Sequence, residues 1–240
     1  SAKGEQGLNR KAEALAVYRG CVMKRTIVYI DGFNLQYGLL REPSKRWLDL
    51  EKFVRCLLTA KYDIVAIKYF TARIRMDPNL PSLPQDQARY LEALAANPLV
   101  TVIEGDYKRF RVKLPFAKEP CVSCNKADYA TVWKTEEKKS DVNLAVEMTV
   151  DAYESNAEAF VLISGDSDHA AALAVARCRH KKTTIVFNPH EGKCVELRKL
   201  STFYRNIPRH IPETCQLPDV VTVGTTIIRR PAAWMPKPTA

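Results

Sequence analysis

The sequence predicts an α/β fold built on a central, mostly parallel sheet, and three observations carry that expectation. Short apolar runs recur at residues 26–30, 64–70, 99–103, 160–163 and 183–187, each of strand length and suited to burial on both faces. Segments with helical apolar spacing lie between most of them, the alternation that builds βαβ units. Two of the runs stop at carboxylates. Thr26-Ile27-Val28-Tyr29-Ile30 meets Asp31-Gly32-Phe33-Asn34, and Phe160-Val161-Leu162-Ile163 meets Ser164-Gly165-Asp166-Ser167-Asp168. Ligands of open parallel sheets bind at the carboxyl ends of strands.

Each element follows from its residues. Residues 1–22 are polar and charged, and Met23-Lys24-Arg25 has the look of a translation start, so 1–22 is expected to be an extension outside a core domain of 23–207. Leu35, Tyr37, Leu39 and Leu40 suit a short helix or turn. Asp49 opens a helix carrying Phe53, Val54, Leu57 and Leu58 on one face. Strand 64–70 leads to a Pro-rich loop at 77–84, then a helix over 85–96 that ends at Asn97-Pro98, then strand 99–103. Residues 105–139 break the rhythm as an insertion. A helix is expected from Asp141 to about Tyr153, with Glu147 a third of a turn from the Asp141 face. After strand 160–163 the chain turns on Gly165 and enters the helix of Ala170-Ala171-Ala172-Leu173. Strand 183–187 and a last helix over 195–203 complete the domain. Residues 208–240 hold six prolines, at 208, 212, 218, 231, 236 and 238, and are expected to be a tail or arm, with a possible edge strand at 220–228.

Composition narrows the function. The charge is +10 and the pI near 9.3, which favours an anionic partner. No apolar run is long enough to span a bilayer, so no membrane partner is expected. Seven Cys in 240 residues do not make a paired disulfide scaffold, and reduced thiols in a cytoplasmic protein are expected.

The carboxylates suggest chemistry. Asp31, Asp141 and the Asp166/Asp168 pair stand at element boundaries far apart in sequence. Grouped carboxylates repel unless a hard cation lies between them. At Asp166 and Asp168 a helix cap is the equal alternative. Tyr107-Lys108-Arg109-Phe110-Arg111-Val112-Lys113 alternates basic and bulky residues, either to bind nucleic acid or as a charge-protected edge strand. Lys138 and Lys139 are candidate phosphate contacts or simply solvated charges. Cys121-Val122-Ser123-Cys124 is half a zinc site, with Cys178, His180, His190 and Cys194 as the only residues that could complete it; an incidental pair is the alternative.

Three of these stretches resemble the motifs of a known family in its order. Ile27-Val28-Tyr29-Ile30-Asp31-Gly32-Phe33-Asn34-Leu35 is similar to the opening motif of the NYN domain family, the PIN-like nucleases that include LabA-like proteins. Lys138-Lys139-Ser140-Asp141-Val142-Asn143-Leu144-Ala145 resembles the second motif, and Val161-Leu162-Ile163-Ser164-Gly165-Asp166-Ser167-Asp168 the third. Glu147 stands where an aspartate is common, and His169 where a bulky aromatic is usual. The resemblance implies a PIN-like three-layer α/β/α sandwich and metal-dependent cleavage of RNA. It also implies that Asp31, Asp141, Asp166 and Asp168 hold Mg²⁺ or Mn²⁺, with Asn34 at the edge, and that the domain pairs as a homodimer. In that scheme Asp31 and Asp166 bind the metal directly, Asp141 binds it or holds a water, and Asp168 is a ligand, a water holder or a helix cap. Single-stranded DNA is the alternative substrate, and an RNA-binding module without cleavage the alternative function. A Toprim-like fold would want glutamate after the first strand, and a haloacid-dehalogenase-like phosphatase its Asp-x-Asp there. A Ser164–His169–Asp31 triad lacks the Gly-x-Ser-x-Gly turn.

Overall fold

Seven strands form one sheet in the order β4-β3-β2-β1-β5-β6-β7. The computed structural model describes residues 23–74, 81–115 and 129–236. The strands are β1 (Lys24–Asp31), β2 (Tyr62–Ala72), β3 (Val100–Pro115), β4 (Tyr129–Lys138), β5 (Ala159–Ile163), β6 (Thr183–Asn188) and β7 (Phe203–Asn206). All neighbours pair parallel except β3 and β4. The helices are α1 (Gly32–Leu39), α2 (Leu50–Leu57), α3 (Leu83–Leu94), α4 (Ser140–Glu154), α5 (Ala170–Ala174), α6 (Val195–Leu200) and α7 (Ile211–Thr214).

The period-2 geometry of the strands divides the core into two layers. Val28, Ile30, Val161 and Ile163 face Leu35, Phe53 and Tyr90 of α1–α3. Ile27, Tyr29, Phe160 and Leu162 face Leu144, Met148, Leu173 and Leu197 of α4–α6. The result is the expected three-layer α/β/α arrangement with a mostly parallel central sheet.

The chain winds outward from β1 to β2 and β3, then returns to place β5 on the other side of β1. The reversal lies between β1 and β5, so their carboxyl ends open the crevice where such sheets bind ligands. Both acid-bearing motifs stand there.

Three expectations differ from the structure. The third strand and the basic ribbon are one continuous strand, β3, which pairs with β2 only over residues 100–105 and with β4 from 106 onward. The last helix stops at Leu200, because residues 203–206 pair with β6 as a seventh strand. Residues 208–236, expected as a tail or arm, fold against the α2–α3 side. There α7 and a hairpin of β8 (Val220–Val223) and β9 (Thr226–Arg229) bury Val221, Ile228 and Trp234. Trp47 Nε1 donates to Pro218 O at 2.8 Å, and Arg230 donates to Ser44 O at 2.6 Å. No helix among the described residues is long and apolar enough to cross a membrane. The extension 1–22 and the Cys121/Cys124 pair lie outside the described residues.

Candidate active site

Asp31 ends β1 and starts α1. Its Oδ1 accepts the Asn34 backbone N–H at 2.9 Å, an N-cap, and its Oδ2 accepts Ser164 Oγ–H at 3.0 Å. Its side chain is 8% exposed. Asn34 Oδ1 in turn accepts Gly165 N–H at 2.8 Å, which latches the loop after β1 to the loop after β5. Asn34 was expected at the edge of the site, and its carbonyl oxygen serves this latch.

His169 closes the 3₁₀ turn Ser167–His169 and is wholly buried. Its Nε2 lies 3.2 Å from Asp31 Oδ2 and 3.8 Å from Asp141 Oδ1. Asp141, in the first turn of α4, keeps 55% of its side chain exposed. The possible ligand atoms of Asp31, Asp141 and His169 all lie within 4.8 Å of one another. The cluster thus joins the two sheet ends to the N-terminus of α4, and it can hold a metal ion.

Asp166 and Asp168 stand at its margin. Asp166 Oδ1 accepts Asp168 N–H at 3.0 Å, so the turn is capped by Asp166 rather than Asp168. Both still add their negative charge at Asp141. Glu147 does not reach the cluster: it pairs with Lys68 Nζ at 2.6 Å. The mid-strand position of Lys68 holds it away.

Glu137, on β4, was not among the expected site residues. Burial and the negative charges of Asp31 and Asp141 raise its carboxyl to about 7, against a counteracting hydrogen bond from Ser140. Burial, Asp31, Asp166 and Asp168 also raise Asp141, opposed by His169. Burial lowers the His169 imidazolium, but its hydrogen bond to Asp31 and the charges of Asp31, Asp141 and Asp166 outweigh that and raise it. Glu137 Oε1 and His169 Nδ1 are buried without a hydrogen-bond partner among the described residues. The unmet Glu137 oxygen, on a carboxyl that feels the Asp31 and Asp141 charges, fits a site that gains a partner when a cation enters.

These shifts set a pH dependence. Folded Glu137 and His169 hold protons more tightly than the unfolded chain, so stability without metal falls as pH rises. For Glu137 the loss runs from its unfolded value near 4.5 to about 7. For His169 it starts at its ordinary value near 6.5 and runs upward. Thermal melts in EDTA are expected to drop from pH 5 to pH 8, less steeply in Glu137→Gln. Saturating Mn²⁺ is expected to reverse the slope, since cation binding displaces those protons. Melts that do not change with pH would exclude this electrostatic picture.

Gly165 is required by close approach rather than by backbone conformation, because its φ is not in the left-handed region. A Cβ there would run into the Asn188 side-chain amide. Asn188 cannot retreat: it donates to Gly192 O at 2.7 Å and to Tyr204 Oη at 2.9 Å, and accepts His190 N–H at 2.9 Å. Gly165→Ala is expected to cost about 1–3 kcal/mol in urea unfolding, the usual penalty of overpacking. An unchanged midpoint would mean the loop has room to give.

The basic residues divide. Lys138 pairs with Glu136 at 2.6 Å, a carboxylate it shares with Lys134, and Lys139 pairs with Asp106 at 2.6 Å, so both lysines are engaged with local carboxylates. The β3–β4 register puts Tyr107, Arg109, Arg111 and Lys113 on one face of the ribbon with Glu137, Thr135 and Trp133, and Lys108 on the other. Among the described residues, Cys178, His180, His190 and Cys194 form no metal-ligand group.

The NYN domain model matches residues 25–204. The chain is 31% identical to 6-hydroxy-3-succinoylpyridine 3-monooxygenase HspA of Pseudomonas putida, over 89% of this chain and 76% of that protein. Among solved structures, it is similar to a protein of unknown function from Vibrio parahaemolyticus, at TM-score 0.46 and 14% identity over 78% of this chain and 94% of that one.

Proposed function

We propose, since the chain belongs to the NYN domain family, that it is a metal-dependent endoribonuclease working at the Asp31–Asp141–His169 cluster. The observation that carries this reading is the meeting of those three side chains, from distant segments, at the carboxyl ends of β1 and β5. Asp31 and Asp141 would hold a divalent cation, with Asp166 and Asp168 adding negative charge. The imidazole in the set suits a transition metal, which favours Mn²⁺ over Mg²⁺. When bound, such a cation supplies Lewis-acid stabilisation of charge at the scissile phosphate. The protein's own groups do the rest. Ser164 and Asn34 fix the Asp31 carboxylate and the loop opposite. His169 fixes it from within the core. The ribbon beside the site offers Arg109, Arg111 and Lys113 to the phosphates.

The test is cleavage of labelled RNAs and single-stranded DNAs in Mn²⁺, Mg²⁺ or EDTA, wild type beside Asp31→Asn and Asp166→Asn. Metal-dependent cuts lost in the variants support the reading. Tight, salt-sensitive RNA binding with no cuts supports a binding module instead.

A second reading follows from the relative named as a monooxygenase. A cavity of about 230 Å³ beside the cluster is lined by Phe33, Tyr69, Tyr90 and Tyr107, with Arg46 and Arg109, and suits a flat ring bearing an acid. Oxygen uptake with a reduced nicotinamide and a hydroxypyridine, absent with RNA, would favour this activity.

A further inference from the structure

The cavity begins where the carboxylates end. Gly32 and Phe33 on its wall directly follow Asp31, and Tyr69 on its floor feels the Asp31 charge. It is below the roughly 300–1,000 Å³ of a site for a drug-sized ligand, so it holds one ring system. The floor is aromatic and rigid: Tyr90 packs edge-on against Tyr69 at 6.4 Å and Trp234 at 6.0 Å. The mouth is aromatic and open to solvent. Phe33 stacks on Tyr107 at 6.3 Å with an interplanar angle of 17°, and Tyr37 beside it is 60% exposed.

The ribbon continues from this mouth. Opposite residues of an antiparallel pair share a face, so Tyr107 with Glu137, Arg109 with Thr135, and Arg111 with Trp133 form successive rungs leading away from the carboxylates. Lys113 with Thr131 is the next rung. The guanidinium groups of Arg109 and Arg111 lie 5.0 and 5.1 Å from the exposed Trp133 ring. Cations that hold an aromatic plate outward are the elements of a single-strand platform: charge for phosphate, a face for a base. A free small ring would have no use for those rungs.

We infer that the cavity receives one unstacked base of a single-stranded RNA, and that the neighbouring nucleotides run along the Tyr107–Arg109–Arg111–Lys113 face with a base on Trp133. This rests on the nuclease reading for its substrate class, and it adds a specificity pocket and a strand path. A duplex cannot present such a base without unpairing it.

The test measures binding in EDTA, without cleavage. The probes are a fluorescein-labelled single-stranded pentaribonucleotide, the same oligonucleotide made abasic at each position in turn, and its duplex. Two abasic positions, one at the cavity and one at Trp133, are each expected to weaken binding about 5- to 160-fold, the range for loss of one stacked base. Thr135→Trp, which fills the mouth from the exposed ribbon, and Tyr37→Ala are expected to erase the effect at the cavity position and to leave the one at Trp133. Trp133→Ala is expected to weaken every single strand, and the duplex is expected to bind less well. Equal binding of all abasic probes, or no effect of Thr135→Trp and Tyr37→Ala, overturns the inference whether or not RNA is cut. Position-dependent binding without cleavage in Mn²⁺ upholds the pocket and overturns the nuclease reading. A hydroxypyridine carboxylate that binds wild type but not Thr135→Trp, with no RNA binding, assigns the cavity to a small molecule and overturns the inference.

Discussion

Asp31→Asn is expected to reduce metal-dependent RNA cleavage by at least roughly 100-fold, more than the loss of an outer partner of a metal ligand commonly costs. The substitution is chosen for what it keeps. Asparagine caps a helix as well as aspartate does, so the Asn34 N–H retains its acceptor at the start of α1. It removes one negative charge, and that charge is the buried carboxylate of the cluster, held between Ser164 Oγ and His169 Nε2. Asp141 is more exposed and can exchange its role with water; Asp31 cannot. Rates over a Mn²⁺ titration, with melting curves alongside, make the measurement. If folded Asp31→Asn cleaves at wild-type rate, the cluster is not the reaction centre.

Lys68→Met is expected to destabilise the protein by about 3–5 kcal/mol, the cost of leaving buried charge unpaired. Lys68 Nζ lies 2.6 Å from Asp151 Oδ2 and 2.6 Å from Glu147 Oε2. Asp151 is 7% exposed on its side chain and also accepts Tyr29 Oη–H at 2.7 Å. Burial, then this hydrogen bond and the two carboxylate charges, push the Tyr29 phenol far above its usual range. Without the ammonium, Glu147 and Asp151 stand one turn apart on α4 with no cation to offset them, and Asp151 keeps only the neutral donors Tyr29 and Asn156. The network pins α4 to the sheet, and α4 presents Asp141 from its first turn, so cleavage should weaken together with stability. The double variant Lys68→Met/Asp151→Leu is expected to recover most of the lost stability. A urea-unfolding loss below about 1 kcal/mol for Lys68→Met would place the network among ordinary surface pairs.

The residues that could be read from sequence are those whose signal is local. β1, β5 and β6 are apolar runs, and Asp31 and Asp141 sit at element boundaries within the motifs, so both the fold class and two of the three cluster residues were legible. His169 is visible only as a departure from a usual aromatic and as a member of a triad that lacks its turn, not as part of a metal site. Its burial against Asp31 depends on how the turn after β5 packs under α4, which no spacing encodes. Glu137 was hidden by register. Of the neighbours Glu136 and Glu137, the one that faces the site is decided by pairing across residues 106–115 and 129–138, and a one-residue slip would exchange them. β7 is not legible, and its first residue, Phe203, reads as the end of a helix, because four residues are too short a pattern to separate the two periods.

The ribbon is a cantilever. Beyond Gly105 no other strand of the sheet runs beside β3, and past Tyr107, which stacks on Phe33, β4 is the one strand paired with it among the described residues. Its root is tight: a Cβ on Gly105 would meet Ser140 Oγ at 2.6 Å, and Ser140 directly precedes Asp141. A load applied near Trp133 therefore acts through a long arm on a fulcrum one residue from Asp141 of the acidic cluster. Any strand that grips the tip gains leverage over the spacing of the carboxylates.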